Sequence, residues 1–569
     1  MNLLMIDGIG PFFKGYARRR INWSKIPFDH LESGGQLNGR LIDGIHDDFD
    51  RFARTVAAMG FNAITLDDLA HLAGHHTAPA LADKIQAYRE VFARFIQTAA
   101  DHNLQIFFTT DIMYAPVDDT TPLRRLRREM IPQLQAAVCD VFEHFPAVAG
   151  IITRIGECDG LDVQGDFKSR LVIKKPAHAR KLLEALLPVF ERHDRLLIFR
   201  TWTVGAYPIG DLMWNRDTFY ATFKDLDSEH LVLSMKYGES DFFRYLPVNK
   251  NFFRTSHRKI VELQTRREYE GFGEYPSFVG WDYEKYIREL DGAQNVIGAC
   301  IWCQTGGWST FNRLTFLEDS SVWNEINTYV TLKLCQGHST TEEAVRQYCN
   351  DYLHCDHWWA LLTLLRLSDE VVKELLYIDD FARRKIFFRR LRVPSLLAVY
   401  WDHVIINHPM RKLMRCFVDD RAQKISQGYA ALRKINTMKH LAQDLSLPAE
   451  GLTFEYDTFE ILAVAREYYF GPFSEELAER IRELKKQYRR KYHKRYSIHL
   501  DFSTFSVPRS RLNRVLALLL RYKRGYRVLD RIFMIRILSV LAPILRLHRH
   551  RYMPDFIQRQ AMGLDTVLK

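Results

Sequence analysis

Carboxylates recur in this chain just after short apolar runs. Asp7 follows Leu3–Ile6, Asp67 and Asp68 follow Ala63–Leu66, and Asp111 follows Gln105–Thr110. Glu157 comes after Gly150–Thr153, Asp241 shortly after Leu231–Lys236, and Glu268 after Ile260–Gln264. Arg200 and Lys236 lie at the ends of two such runs, and Trp202, Trp302 and Trp308 lie at or beyond others. Carboxylates that converge can divide acid and base work. One, kept protonated by like charges around it, gives a proton to a leaving oxygen; another activates water or attacks carbon, as cleavage of a glycosidic bond requires. Tryptophan faces suit a sugar ring, and Arg and Lys suit an anionic or strongly polar group. A single loop Asp or Glu is usually solvated or caps a helix. Trp302 alone reads as core, and Arg200 and Lys236 could merely neutralise their acidic neighbours. The weight rests on recurrence at successive run ends.

Those runs are the elements that would position the site. Eight of them, completed by Leu196–Thr201 and Gly298–Cys303, are mostly continuously apolar, as strands buried on both faces should be. Amphipathic stretches such as Asp47–Met59, Ala80–Ala100 and Ala177–His193 separate several of them. The alternation predicts a (β/α)₈ TIM barrel, whose active site gathers at the C-terminal ends of the strands. A doubly wound open sheet is the alternative, but no Gly-rich phosphate loop follows the first strand. After about Ser320 the pattern turns helical: Val322–Gln336, Thr341–Leu353, Trp358–Leu376, Phe387–Ile406, Ala422–Leu445, Tyr456–Tyr469 and Ser474–Tyr492. The expected division is a barrel over 1–320, a helical domain packed on it over 321–473, and a basic helical extension over 474–569. Weak boundaries fall near Leu447–Ala449 and Pro508.

Composition agrees with a large globular core: 47% of the 569 residues are hydrophobic and 26% charged. Eight cysteines show no disulfide spacing, which reads as a reduced, cytoplasmic protein. Cys300 and Cys303 form a CxxC on a strand, where residues three apart face opposite ways, so a redox role is not expected. His354 and His357 flank Cys355 and Asp356, an incomplete metal spacing; no metal and no cofactor are expected. Neither a secretory signal nor a spanning helix is visible.

The segment Leu231–Gly271 resembles the alpha-glucuronidase glycoside hydrolase family, family 67. That family carries Lys-Asn-Gly-Pro-x-Asp-Phe after strand six, matched by Lys236-Tyr237-Gly238-Glu239-Ser240-Asp241-Phe242. It carries Glu-Phe-Gln-x-x-x-Glu-Tyr-x-Gly on strand seven, matched by Glu262-Leu263-Gln264 and Glu268-Tyr269-Glu270-Gly271. The resemblance implies that Asp241 or Glu268 is the base and that Glu157, after strand four, is the general acid. It implies that Arg200 binds the substrate carboxylate and that Thr305-Gly306-Gly307-Trp308 matches a Trp-containing loop. Together with Gly15-Tyr16-Ala17 it spans roughly Met1 to Asp351. It also implies inversion and an oligosaccharide or glycan partner. Departures are clear. The chain starts at strand one without the family's β-sandwich, Gly156-Glu157-Cys158-Asp159 replaces Ser-Glu-Gly-Gln, and Thr153 stands where the family has Lys. Asp67, Asp68 and Asp111 fall where it tends to use Asn, so glucuronic acid itself is less favoured. The competing class is a non-hydrolytic carbohydrate-binding or glycosyl-transferring barrel of surface-polysaccharide metabolism.

The net charge of +11 is uneven, with most of the excess Arg and Lys after Phe381. Arg480–Arg495 is dense in cations, and Arg509–Arg551 interleaves them with Val515–Leu520 and Ile532–Leu545. The latter could be a packed hairpin with snorkelling cations, or could rest on anionic lipid at the inner face of the membrane. No motif points to nucleic acid.

Overall fold

The computed structural model describes residues 1–16, 25–74, 79–156, 166–203, 205–304, 313–337, 339–388, 390–394, 399–400, 403–492, 495–502, 520–521 and 528. Glu157, Trp308 and nearly all of 509–551 fall outside them.

Eight parallel strands close into a barrel: β1 (Leu3–Asp7), β2 (Ala63–Asp67), β3 (Gln105–Asp111), β4 (Val148–Arg154), β5 (Leu196–Arg200), β6 (Leu231–Lys236), β7 (Arg258–Gln264) and β8 (Val296–Trp302). Each pairs with its sequence neighbours, and β1 pairs with β8 through Leu3–Gly298 to Ile6–Ile301. Successive side chains on a strand face opposite ways, and the composition of each strand follows that rule. Met5, Ala63, Phe107, Ile152, Ile198, Val232, Ile260 and Cys300 meet inside the barrel. Their alternates, such as Ile6, Ile64, Phe108, Ile151, Phe199, Leu233, Val261 and Ile301, pack outward in the main core. Both faces are buried, which is why the strands are apolar throughout.

Helices α1 (Gly39–Met59), α2 (Pro79–Asp101), α3 (Leu123–His144), α4 (Pro176–His193), α5 (Arg216–Phe223), α6 (Gly280–Leu290) and α7 (Val322–Gln336) follow β1 to β5, β7 and β8. The β6–β7 connection has only a short 3₁₀ turn, Lys250–Phe253. The helices start and stop for local reasons. The Asn38 side chain accepts from Leu41 N at the start of α1, and Gly60, at φ 111°, ends it.

The chain continues as α8 (Thr341–Tyr348), α9 (Trp358–Val371), α10 (His408–Phe417), α11 (Arg421–Asp444), α12 (Glu450–Phe470) and α13 (Glu475–Lys491). Thus a (β/α)₈ barrel is followed by a helical region, as the sequence predicts. One stretch differs. Phe387–Ile406, expected as helix, forms strands in its described residues: Lys385–Phe388 pairs with Leu391–Pro394 and Leu520–Arg521, and His403–Asn407 with Val399–Tyr400 and Ser497–Asp501. Val404 and Ile406 are buried while Ile405 between them is only partly so, a period of two. Three adjacent β-branched residues, Val404 to Ile406, and Pro394 favour that outcome. Among the described residues no helix is long and apolar enough to cross a membrane.

Candidate active site

The inward alternation carries on past the apolar layers. Two residues beyond Met5, Ile152, Ile198 and Ile260 come Asp7, Arg154, Arg200 and Glu262; four beyond Ala63, Phe107 and Val232 come Asp67, Asp111 and Lys236. Register sets Arg200 beside Ser234 and Lys236 beside Glu262. The C-terminal mouth is therefore a ring of charges, all nearly or fully buried. Buried charges persist only when paired and hydrogen-bonded, and the pairing divides the mouth into two flanks.

On the β5–β7 flank, Arg200 grips Glu262 with two bonds, Nε to Oε1 at 2.9 Å and Nη2 to Oε2 at 2.8 Å. Ser234 Oγ adds a third at 2.6 Å. Burial pushes the Glu262 carboxyl up, but Arg200, Lys236 and Ser234 outweigh it and hold the group below its usual value. Lys236 Nζ stands 2.5 Å from Asp241 Oδ1, over the rings of Trp202 (3.8 Å) and Phe242 (4.2 Å). Asp241 also accepts from Tyr269 Oη at 2.9 Å and Phe242 N at 2.9 Å. Its neighbour Glu268 fares differently: Oε1 is buried with no hydrogen-bond partner among the described residues. Burial, and then the charge of Asp241, push the Glu268 carboxyl up to about 8. Arg200 lies over the Trp302 ring at 5.0 Å, and Trp302 Nε1 is likewise buried without a partner among the described residues.

On the β2–β4 flank, Arg154 Nε stands 2.8 Å from Asp111 Oδ1 and Nη2 3.5 Å from Asp67 Oδ2. Lys25 and Ser169 hold Asp111 Oδ2, and Lys25 Nζ donates to Ser169 Oγ at 2.8 Å. Against burial, Arg154 and Lys25 keep the Asp111 carboxyl well below the usual range. Asp67 is pushed up to about 8 by burial, only partly offset by Arg154. Asp7 closes the ring, accepting from Cys303 N at 2.5 Å and Gln304 N at 3.1 Å; burial raises it to about 6.

The structure thus brings Asp67, Asp111, Arg200, Lys236, Trp202, Asp241 and Glu268 to one mouth. Asp68 is used otherwise: it caps the turn Leu69–His71 and holds His71 Nδ1 at 2.9 Å. Lys25, Arg154, Ser169, Ser234 and Tyr269 were not singled out as site residues. Strand alternation points to Arg154, and Tyr269 lies in the quoted strand-seven segment, but Lys25 precedes the first helix in a segment with no pattern of its own. Cys300 and Cys303 carry free thiols, and no group of His, Cys, Asp and Glu able to hold a metal occurs among the described residues.

The loop after β7 is braced from the helical region. Glu270, two residues past Glu268, binds Arg244 and Arg267, and Tyr377 Oη donates to it at 2.8 Å. Arg244 also reaches Asp282 at 3.1 Å and Asp369 of α9 at 2.5 Å. Gly271 N donates to Tyr496 Oη at 3.0 Å; its φ of 72° and the Tyr275 ring where a Cβ would stand require glycine.

No protein-family profile matches the sequence, and no curated protein matches it. Among solved structures the chain is similar to a GH138 enzyme targeting pectin rhamnogalacturonan II, at 11% identity and TM-score 0.49, over 87% of this chain and 62% of that one. It is also similar to a Thermobaculum terrenum O-GlcNAc hydrolase at 10% identity and TM-score 0.40, over 90% and 95% of the two chains. CpGH84B is similar at 10% identity and TM-score 0.37, over 83% and 71%. The chain spans 62% of the length of the first of these.

Proposed function

We propose that this protein is a glycoside hydrolase in which Glu157 is the general acid and Glu268, backed by Asp241, is the base. The observation that carries it is the buried Asp241–Glu268 pair: one carboxylate saturated by donors, the other with an unpartnered oxygen and a proton affinity raised to about 8. Such a pair separates two roles by environment. Asp241, fixed by Lys236 and Tyr269, faces the positive charge growing on the sugar ring. Glu268, once deprotonated, takes a proton from water as that water attacks the anomeric carbon; Glu157 gives a proton to the leaving oxygen. Inversion requires the acid and base carboxyls to stand about 6.5–9.5 Å apart. Trp202 and Trp302 supply apolar surface at the same mouth.

Arg200 and Lys236 are engaged with Glu262 and Asp241, the neutralising role left open by the sequence. This favours a neutral sugar over a uronide in the cleaved position. The test is a panel of aryl glycosides, uronides included, with wild type and Glu157→Gln. Cleavage that falls by orders of magnitude in the variant supports the assignment. Saturable glycan binding without turnover, unchanged by the substitution, would replace it with the binding-module alternative.

A further inference from the structure

The second half of α13 carries a surplus of cations, of which Lys486 has Glu483 within 3.7 Å. Its glutamates, Glu475, Glu476, Glu479 and Glu483, end at 483; Lys485, Lys486, Arg489, Arg490 and Lys491 follow. Arg482 pairs with Glu475 and Glu479 at 2.8 Å each, and Lys491 with Asp457 at 2.5 Å. Arg482, Lys485, Lys486, Arg489 and Arg490 recur at intervals of three and four, so they form one stripe along the helix.

That stripe lines a cleft. With Leu500 of the strand Ser497–Asp501 it bounds an open space of about 610 Å³. A second space of about 340 Å³ shares Lys485 and Arg489 and adds Tyr488, Tyr492, Tyr496 and His499. The two spaces adjoin at Lys485 and Arg489 and together make a trough with cations along one side and Tyr492 and His499 at one end. Each lies in the size range of clefts that hold a ligand, about 300–1,000 Å³. The cations disfavour one another: burial and then Arg489 lower the proton affinity of Lys485, and burial and Lys485 lower that of His499. The chain that follows brings no counter-charge, since residues 503–569 hold fourteen Lys and Arg against three Asp. The stripe therefore keeps a surplus of positive charge that an anionic molecule would neutralise.

We propose that this trough binds an acidic glycan chain at a site separate from the barrel mouth. Carboxylate or sulfate groups would meet the lysines and arginines by charge-assisted hydrogen bonds, while a sugar ring rests against the partly exposed Tyr492. A concave trough fits a chain better than the flat surface of a bilayer, and Tyr492 offers apolar contact that phosphate binding does not use.

The experiment is native affinity electrophoresis of the full chain in gels holding polygalacturonate, with neutral amylose as the parallel gel. Retardation is expected in the first gel only. The double substitution Lys485→Glu with Arg489→Glu should weaken it about tenfold or more, as loss of two charged contacts implies. Reversal of Arg124 and Arg128, exposed on α3, changes net charge equally and should leave retardation intact. Should the double reversal misfold by circular dichroism, Lys485→Gln with Arg489→Gln takes its place. Absence of retardation, or equal loss in both reversed pairs, overturns the proposal. So does binding to phosphatidylserine vesicles with none to polygalacturonate, which would make the trough a lipid contact. The readout is independent of hydrolysis, so a barrel that cleaves nothing leaves this result standing.

Discussion

The two flanks of the barrel mouth solve the same electrostatic problem with different materials. Each sets two cations against its buried carboxylates, and each leaves one carboxyl satisfied and another holding a proton: Asp111 against Asp67, and Asp241 with Glu262 against Glu268. The β2–β4 flank uses Lys25 and Ser169, tied through the short strand pair Tyr114–Pro116 and Phe167–Ser169. The β5–β7 flank lays its cations on Trp202 and Trp302 and is braced from behind by Arg244, Asp369 and Tyr377. Charge alone does not mark the reactive side. What distinguishes the flanks is the aromatic surface and the unpartnered Glu268 oxygen, which lie on one of them.

Removing the reactive carboxyls should have the largest effect and break the comparison most directly. Glu268→Gln should lower turnover by roughly 10²–10⁴-fold, whereas Asp67→Asn should change it far less. Equal losses measured on one aryl glycoside would show that the flanks share the chemistry.

Stability should separate satisfied from protonated groups. Asp111→Asn takes the nearest carboxylate from Arg154 and Lys25, and Arg244→Met takes from Glu270 and Asp369 the cation they share, leaving them Arg267 and Lys373; each should cost about 3–5 kcal/mol in denaturant unfolding. Asp67→Asn and Glu268→Gln replace groups that are already neutral at pH 7 and should cost under about 1 kcal/mol. Costs of the same size in both classes would remove the distinction.

The pH dependence sharpens this further. Asp67 and Glu268 keep protons in the folded state that the unfolded chain releases, so both make stability fall as pH rises from about 4.5 to 8, with no further loss above. The double variant Asp67→Asn, Glu268→Gln should flatten that slope; an unchanged slope in unfolding titrations would refute the raised affinities. Turnover through Glu268 as base should rise over pH 7–8, while a fall there would make it the acid. The smallest effect concerns Glu455 on α12, fully buried with both oxygens unpartnered among the described residues. Glu455→Gln should be neutral or slightly stabilising by thermal melting, since burial already keeps the group protonated.

The barrel was legible because apolar runs and strand-end carboxylates both follow from the pleat: Asp7, Asp67, Asp111 and Arg200 could be numbered from strand ends alone. Partners were less legible. Glu262 stood in the quoted segment, yet its hold on Arg200 depends on β5, β6 and β7 lying side by side. Lys25 comes from a segment whose place only the closed barrel sets. Phe387–Ile406 was misread because its strands find partners at 497–501 and 520–521, far along the chain, and a window of local periodicity does not contain them.

The β6–β7 connection lacks a barrel helix, and the loops around it are held by residues made much later. Arg244 meets Asp369 across 125 positions, and Gly271 meets Tyr496 across 225. On the ribosome, at roughly 5–20 residues per second, the second partner emerges on the order of ten to forty-five seconds after the first. Glu268 therefore acquires its final surroundings only after Tyr496 has been made. A nascent chain that stops short of Tyr496 carries every strand of the barrel yet lacks the clamp behind Glu268, so the order of synthesis itself withholds the finished mouth from shorter molecules.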